Sequence, residues 1–317
     1  MSLNLIKYFS YNMVKEYLQA RITNLNFYRV VPLYYKNRVG KFVLYKPAGI
    51  KLHDMRIKQG LHPEKLYIKC SDKIRSIREV QKAFNQKLKE DIESNKPANV
   101  KETIVNIVEE TFTEPRSGSL EGISATVNIL VSDYAQESKI VKNLLFVSKN
   151  DYTTVLHSVN VMALAIGYAS HENYSIDEKK ILGLSALLHD VGKAQIDSGI
   201  LKTPRRLSDE EYKQMQKHTI IGYQILKNCG FANPQIMRTA LQHHEKMDGS
   251  GYPNGSVHIS RMAQIVAIID CYEALTNDDR PYRSASEPLK ALTIIKDDVE
   301  AGKFNKKIFE KFAYSLL

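Results

Sequence analysis

Seven histidine and aspartate side chains after residue 150 have the chemistry of metal ligands: His157, His189, Asp190, His218, His243, His244 and Asp270. Imidazole and carboxylate groups bind first-row divalent cations, and seven of them exceed the three or four ligands of a single zinc site. The sequence therefore predicts two metal ions. Two ions about 3.5–4 Å apart hold a shared hydroxide that attacks phosphorus, so hydrolysis of a phosphate ester is the natural chemistry.

The positions of these residues within helical patterns direct them inward. His157 shares a helical face with Val161 and Leu164. Asp270 is in line with small alanines, and a buried carboxylate must be neutralised, paired or coordinated. One such histidine, or one His-Asp pair, is more often an ordinary core feature. The full set within one helical domain favours metal ions, and Asp190 in its middle is the candidate bridging carboxylate.

Length and composition describe a globular chain. The 317 residues favour two domains, and 43% hydrophobic and 25% charged residues exclude disorder and a membrane bundle. The formal net charge of +10 favours anionic partners such as nucleotides, nucleic acid or a membrane surface. Three cysteines without a CxxC pair predict neither disulfides nor a thiolate site. No signal core and no long apolar segment is apparent, so we expect a cytoplasmic protein.

Hydrophobic patterning predicts an α+β chain in three parts. A small mixed α/β domain is expected at residues 1–75, a helical connector at 76–123 and an all-helical bundle at 124–317. Strands are predicted at 27–33, 41–45 and 65–70. The predicted helices are 77–94 and 101–112 in the connector, which ends in a loop at 115–119, and then 124–147, 153–170, 177–190, 208–228, 234–245, 259–276, 287–300 and 305–316.

Four motifs in this bundle resemble those of the HD-GYP subfamily of HD-domain phosphohydrolases. They are His189-Asp190-Val-Gly-Lys193, His243-His244-Glu245-Lys-Met-Asp-Gly-Ser-Gly251-Tyr252-Pro253, Ile269-Asp270-Cys-Tyr-Glu-Ala-Leu-Thr276 and Arg280-Pro-Tyr-Arg283. The resemblance covers about residues 135–317. It implies an all-helical HD-type bundle and a bacterial enzyme that hydrolyses the 3′,5′-phosphodiester bonds of cyclic di-GMP to linear pGpG, GMP or both, using iron or manganese.

The resemblance also implies a role for each matching residue. His157, His189, Asp190 and Asp270 would bind one metal, and Asp190, His218, His243 and His244 the other, so that Asp190 bridges them. The catalytic candidates are Asp190 and Lys193, whose ammonium would meet a phosphate oxygen. The substrate-binding candidates are Lys193, Gly251, Tyr252, Arg280 and Arg283. The alternatives are a solvated lysine, an ordinary turn and surface arginines.

Three positions depart from the subfamily pattern. Thr153 stands where some members carry a glutamate that helps hold a third metal, so we expect two metals, with iron as first choice and manganese as second. Gln264 replaces a common arginine and Glu273 a frequent aspartate. We expect that neither touches the inferred ligands.

The sequence also sets expectations for partners and leaves other functions open. The expected substrate is cyclic di-GMP, the resemblance implies binding of diguanylate cyclase domain proteins, and neither nucleic acid nor a membrane is an expected partner. Domain order suggests a sensory or partner-binding role for the N-terminal domain. The oligomeric state stays open. The competing hypotheses are a weak or inactive module that binds cyclic dinucleotides, and an HD phosphohydrolase that acts on another nucleotide.

Overall fold

In the computed structural model, two compact units follow each other along the chain, residues 1–83 and 84–317. The structure describes residues 16–52, 60–94, 97–113, 117–134, 154–203, 205–229, 233–277 and 287–317. A small antiparallel sheet lies in the first unit and helices form the second, which confirms the predicted α+β class. The domain boundaries at residues 75 and 123 stay predictions.

The first unit contains a four-stranded sheet. Its strands are β1 (Tyr17–Gln19), β2 (Leu33–Lys36), β3 (Phe42–Lys46) and β4 (Leu66–Lys69), in the order β1-β4-β2-β3. All three pairings are antiparallel. Because side chains alternate between the faces, Leu33, Leu66 and Ile68 enter the core. The strands predicted at 41–45 and 65–70 are confirmed, whereas β1 is too short to show alternation in the sequence.

The strand predicted at residues 27–33 is wrong. Only Leu33 of this run lies in a strand. The Glu79 carboxylate accepts hydrogen bonds from the backbone N–H groups of Arg29, Val30 and Val31, at 2.7, 2.6 and 3.1 Å. These amides bond to a side chain rather than to a neighbouring strand, so the β-prone sequence forms an anchored turn.

Helices build the second unit, and the first of them begins in the first unit. The α-helices of the described residues are α1 (Lys73–Glu93), α2 (Pro97–Thr113), α3 (Ser117–Ile129), α4 (Thr154–His171), α5 (Ile176–Leu188), α6 (Ser198–Leu201), α7 (Asp209–Gln216), α8 (His218–Asn228), α9 (Pro234–Gln242), α10 (Arg261–Thr276), α11 (Pro288–Glu300) and α12 (Lys306–Ser315). Shorter 3₁₀ segments lie at Ile22–Asn24, Cys70–Asp72 and Val191–Gln195, and a π-helical turn at Leu130–Tyr134.

Several predicted helix boundaries need correction. The helix predicted at 208–228 is two helices, because the Met215 and Gln216 carbonyls bind the side chains of His218 and Thr219 where α7 ends. The helix predicted at 177–190 ends at Leu188. The loop predicted at 115–119 is wrong for residues 117–119, which begin α3, and the end of the helix predicted at 124–147 lies outside the described residues.

Helix packing places the core between α4, α5, α9 and α10. Helix α4 packs against α5 and α10, and α9 packs against α5, α8 and α10. Val161, Leu187 and Ile268 are fully buried in this core. Ser175 begins α5 with a capping box that includes Glu178. Among the described helices, we find none with the length and apolar character needed to cross a bilayer.

Candidate metal centre

The seven predicted ligands come from five places in the helical unit and meet in its interior. His157 lies in α4 and Asp270 in α10, whereas the other five residues lie at helix ends or directly beyond them. They form two groups in which one ligand atom per residue lies within 4.8 Å of the others. The first donor group is His157, His189 and Asp270, and the second donor group is Asp190, His218, His243 and His244. The second donor group is one of the two ligand sets that the resemblance implies, and the first donor group is the other set without Asp190. Metal binding by either group stays a prediction.

Asp190 faces both groups. Its Oδ2 lies 3.7 Å from Nε2 of His157 and 3.4 Å from Nε2 of His189. Its Oδ1 lies 3.3 Å from Nε2 of His218 and 3.7 Å from Nε2 of His243. One carboxylate therefore presents one oxygen to each group, as a bridging ligand requires.

Hydrogen bonds at Nδ1 orient the histidine rings. Nδ1 of His189 lies 2.6 Å from the Ala186 carbonyl oxygen, and Nδ1 of His218 lies 2.7 Å from that of Met215. His243 Nδ1 makes equivalent contacts at 3.1 Å with two carbonyls of α9. A ring that donates from Nδ1 keeps the lone pair of Nε2 for a metal, so the helix ends preset three of the ligands.

Glu273 orients the fourth ring. Its Oε2 lies 2.5 Å from Nδ1 of His157, and its Oε1 accepts hydrogen bonds from Asn160 at 2.8 Å and Asn277 at 2.7 Å. The expectation that Glu273 touches no inferred ligand is therefore wrong. The signal was present in the sequence, because Glu273 lies three residues after Asp270 and so on the same face of α10.

Gln264 behaves as expected and contacts none of the ligands among the described residues. Its side-chain amide donates to the Ile259 carbonyl at 2.8 Å and accepts from Asn305 at 3.1 Å. Gln264 thus joins the start of α10 to the residue that caps α12.

The first donor group is held by carboxylates. Burial lowers the pKa of His157, but the Glu273 and Asp270 carboxylates outweigh burial and raise that pKa to about 9. Burial raises the pKa of Asp270, and the hydrogen bond and charge of His157 outweigh this and hold it well below its usual range. Without a metal, His157 is therefore protonated at neutral pH.

The second donor group is dominated by burial. Burial lowers the pKa of His218 to about 3, and it also lowers the pKa values of His243 and His244. Burial raises the pKa of Asp190, but the charges of Lys193 and His189 outweigh it and hold that pKa well below its usual range. The second donor group therefore offers three neutral imidazoles and one ionised carboxylate.

The residues present fit a pair of divalent cations. Asp190 and His189 are each only 1% exposed. Among the described residues, His189 Nε2 and Asp190 Oδ1 are buried without a hydrogen-bond partner. Buried polar atoms without partners are costly. His189 Nε2 lies 3.4 Å from the other Asp190 oxygen, and Asp190 Oδ1 lies 3.3 Å from Nε2 of His218, so both are among the candidate donor atoms. Nitrogen and oxygen donors without thiolate suit first-row divalent cations.

Lys193 lies at the bridge. Its Nζ is 2.5 Å from Oδ2 of Asp190, and its side chain is 22% exposed. This contact favours a role at the bridge over the alternative of a solvated helix-end lysine, and that role stays a prediction. The ammonium offsets the charge of Asp190.

Gly192 fixes the distance between the bridge and the second donor group. A Cβ atom at Gly192 would lie 1.9 Å from the His218 carbonyl oxygen and 2.6 Å from the Gly222 backbone nitrogen. Only a residue without a side chain allows the 3₁₀ segment at Val191–Gln195 to approach α8 this closely. This close approach brings Asp190 to His218.

The loop that contains Gly251 and Tyr252 packs on the second donor group. The Tyr252 ring stacks on His244, with centroids 4.7 Å apart and an interplanar angle of 26°. A Cβ atom at Gly251 would lie 2.5 Å from the His244 carbonyl oxygen. The sequence did not reveal the role of Glu245, whose buried carboxylate accepts from the Asn254 and Ser256 amides at 2.8 and 2.9 Å and holds this loop closed.

Three residues named in the sequence analysis lie outside the described residues. They are Thr153, Arg280 and Arg283. Their contributions to the site stay predictions.

Comparison with known families gives a match over most of the helical unit. The model of a family described as HD domain matches residues 136–308. In solved structures, the chain is similar to a HDG"Y"P protein from Bdellovibrio bacteriovorus with a TM-score of 0.63 and 21% identity. That similarity covers 95% of this chain and 99% of the other, and it shows the fold alone.

Three relatives share more of the sequence over shorter lengths. A Pseudomonas aeruginosa protein named as a cyclic di-GMP phosphodiesterase is 33% identical over 54% of this chain and 41% of its own length. A Vibrio cholerae protein named as a 3′3′-cGAMP-specific phosphodiesterase is 32% identical over 50% of this chain and 36% of its own. A Xanthomonas campestris protein named as a cyclic di-GMP phosphodiesterase response regulator is 40% identical over 35% of this chain and 30% of its own length. Each match spans less than half of the relative.

Proposed function

The chain belongs to the HD-domain family, and from that premise we propose that it is a metal-dependent phosphodiesterase that hydrolyses cyclic di-GMP. The observation that carries the proposal is the Asp190 carboxylate, which presents one oxygen to each of two buried donor groups. The names of the relatives from Pseudomonas aeruginosa and Xanthomonas campestris support the choice of substrate.

The proposal includes two divalent cations, with iron as first choice and manganese as second, and the two donor groups support it. His157, His189 and Asp270 would hold one ion, and His218, His243 and His244 the other, with Asp190 shared. When bound, such a pair activates water and polarises phosphate oxygens. The neutral histidines of the second donor group suit it for binding a cation without first losing protons.

The remaining roles belong to the chain's own side chains. Lys193 places an ammonium beside the bridge, where it stabilises negative charge on a phosphate oxygen as the ester bond breaks. Gly251 and Tyr252 shape the wall over His244, and Arg280 and Arg283 complete the substrate-binding set as predictions from the motif. The proposed products are linear pGpG, GMP or both. Binding of diguanylate cyclase domain proteins stays a prediction from the resemblance.

Turnover of a defined substrate tests the proposal. Protein purified without oxygen is loaded with iron or with manganese and mixed with cyclic di-GMP, and the products are separated by chromatography and identified by mass. We expect linear pGpG or GMP in proportion to metal content. Bound cyclic di-GMP that is never cleaved with either metal would instead favour the inactive binding module.

A second substrate is favoured by one observation. The relative from Vibrio cholerae is named for 3′3′-cGAMP and is as similar to this chain as the relative from Pseudomonas aeruginosa. The two substrates share the phosphodiester ring and differ in one base. A panel that includes 3′3′-cGAMP and linear nucleotides at equal metal content decides between them, because the true substrate has the highest kcat/KM.

A further inference from the structure

The net positive charge of the chain is concentrated in the first unit. Residues 1–83 contain 17 lysines and arginines and five aspartates and glutamates, a formal net charge of +12. Residues 84–317 contain 28 lysines and arginines and 30 aspartates and glutamates, a formal net charge of −2. The proposed phosphodiesterase site lies in the second unit and does not account for this asymmetry, which is typical of a surface that meets an extended anion.

Aromatic rings cover the outer face of the β1-β4-β2-β3 sheet. Tyr34 and Tyr67 are directly paired across β2 and β4, and they point away from the core that Leu66 and Ile68 enter. The rings of Tyr17 and Phe42, from the two edge strands, stack on each other with centroids 4.0 Å apart. Tyr17 makes an edge contact with Tyr34 at 5.1 Å, and Phe42 makes one with Tyr67 at 5.0 Å. All four rings are half-buried, so each keeps part of its surface open to solvent.

Lysines lie against these rings. Nζ of Lys36 is 5.8 Å from the Phe42 ring centroid, and Nζ of Lys69 is 5.6 Å from that of Tyr34. Within the part of the chain that the structure describes, neither lysine makes an ion pair, and the same holds for Arg38 and Lys41 in the hairpin between β2 and β3. An anionic partner would therefore not have to displace a carboxylate of the described residues from these cations.

We propose that this basic aromatic face, formed by Tyr17, Tyr34, Phe42 and Tyr67 with Lys36 and Lys69, binds single-stranded nucleic acid. Exposed bases stack on aromatic rings and phosphates pair with nearby cations, and an antiparallel sheet that carries both is a common platform for single strands. A membrane surface needs the positive charge but not a cluster of partly exposed aromatic rings. The proposal departs from the sequence-based expectation that nucleic acid is not a partner.

Fluorescence anisotropy with the full chain tests the proposal. The probe is fluorescein-labelled oligo(U) RNA of about 15 nucleotides, near the upper site size of a small single-strand-binding fold, and oligo(dT) is measured beside it. We expect the Lys36→Glu, Lys69→Glu double variant to weaken binding, and to lower the slope of log affinity against log salt by about 0.7 for each phosphate that no longer pairs with a lysine. Tyr67→Leu keeps an apolar side chain for folding, and we expect about tenfold weaker binding because a base can no longer stack on the ring.

A matched control places the same charge change elsewhere. Lys290 and Lys307 are exposed lysines of the second unit, and the Lys290→Glu, Lys307→Glu variant should bind the probe like the original chain. Equally weakened binding in both double variants would contradict the proposal, because binding would then follow net charge alone. Unchanged binding by Tyr67→Leu, or binding to phosphatidylglycerol vesicles without binding to either oligonucleotide, would also overturn it.

Discussion

The two donor groups share Asp190 and differ in what surrounds their histidines. In the first donor group, Glu273 and Asp270 raise the pKa of His157 to about 9. In the second donor group, burial lowers the pKa of His218 to about 3. Buried histidines with few carboxylates near them are neutral and ready for a cation, whereas a histidine between carboxylates must first lose a proton. The same residue type thus makes two sites with different dependence on pH.

Removing the shared residue has the largest expected effect on this comparison. Asp190→Ala removes an oxygen from both groups and leaves two cations with less negative charge between them. We expect loss of both metals and of all phosphodiesterase activity, measured by elemental analysis and cyclic di-GMP turnover. Asp177→Ala, at a side chain that is 90% exposed, is the control. A wild-type metal count in Asp190→Ala would show that Asp190 does not bridge.

Substituting a histidine that belongs to only one donor group tests whether the two metals bind independently. We expect His157→Ala to lose chiefly the metal of the first donor group and His218→Ala chiefly that of the second, because each ring contributes to only one group. Each variant should retain about one metal per chain and little activity, since the proposed chemistry needs both ions. Loss of both metals in both variants would mean that the two groups fill only together.

Lys193 tests whether the bridge has a catalytic partner. Lys193→Ala should keep its metals and its thermal stability while kcat/KM falls about a hundredfold, the effect of removing one preorganised donor to a developing oxyanion. Steady-state kinetics at full metal occupancy measures this. Lys180, a partly exposed lysine of α5, provides the matched alanine control. An unchanged kcat/KM would limit Lys193 to pairing with Asp190.

Of these variants, Glu273→Gln has the smallest expected effect, and it tests why the two donor groups depend differently on pH. In metal-free protein, the raised pKa of His157 contributes stability that is complete below the unfolded pKa near 6.5 and is lost as pH rises through about 9. Removing the Glu273 charge lowers the pKa of His157, so this decline in thermal stability between about pH 6.5 and 9 should shrink. Metal affinity should fall about tenfold, as for other partners of ligating histidines. Glu300→Gln, at an exposed side chain, is the control. An equal decline of thermal stability with pH in the original chain and in both variants would show that Glu273 does not raise the pKa of His157.

The sequence predicted the helical unit well, because long amphipathic segments carry a clear period. The bounds predicted for the helices at 153–170 and 287–300 agree with α4 and α11 to within one residue. Elsewhere, hydrogen bonds made by single side chains made the predictions from sequence periodicity wrong. The Glu79 carboxylate binds the amides of residues 29–31, which therefore do not pair with a strand. The contact of His218 with the Met215 carbonyl lies where α7 ends and α8 begins.

The candidate ligands were found from residue type and motif, and their supports were not. Glu273 and Glu245 act through contacts with His157 and with the loop amides of Asn254 and Ser256. Glu273 shares a face of α10 with Asp270, but its contact with His157 joins two helices 116 residues apart, and no spacing in the sequence shows it. Gly192 was missed for a similar reason. A side chain is excluded there only because α8 lies against it, and the sequence does not show that contact.

Metal content measured together with turnover tests the central claim most directly. Protein prepared without oxygen and loaded with iron should contain about two ions per chain, as a bridged pair of donor groups requires. It should convert cyclic di-GMP to a linear product at a rate that falls to zero when a chelator removes the metal. Two bound ions without turnover, or turnover that survives complete metal removal, would contradict the account.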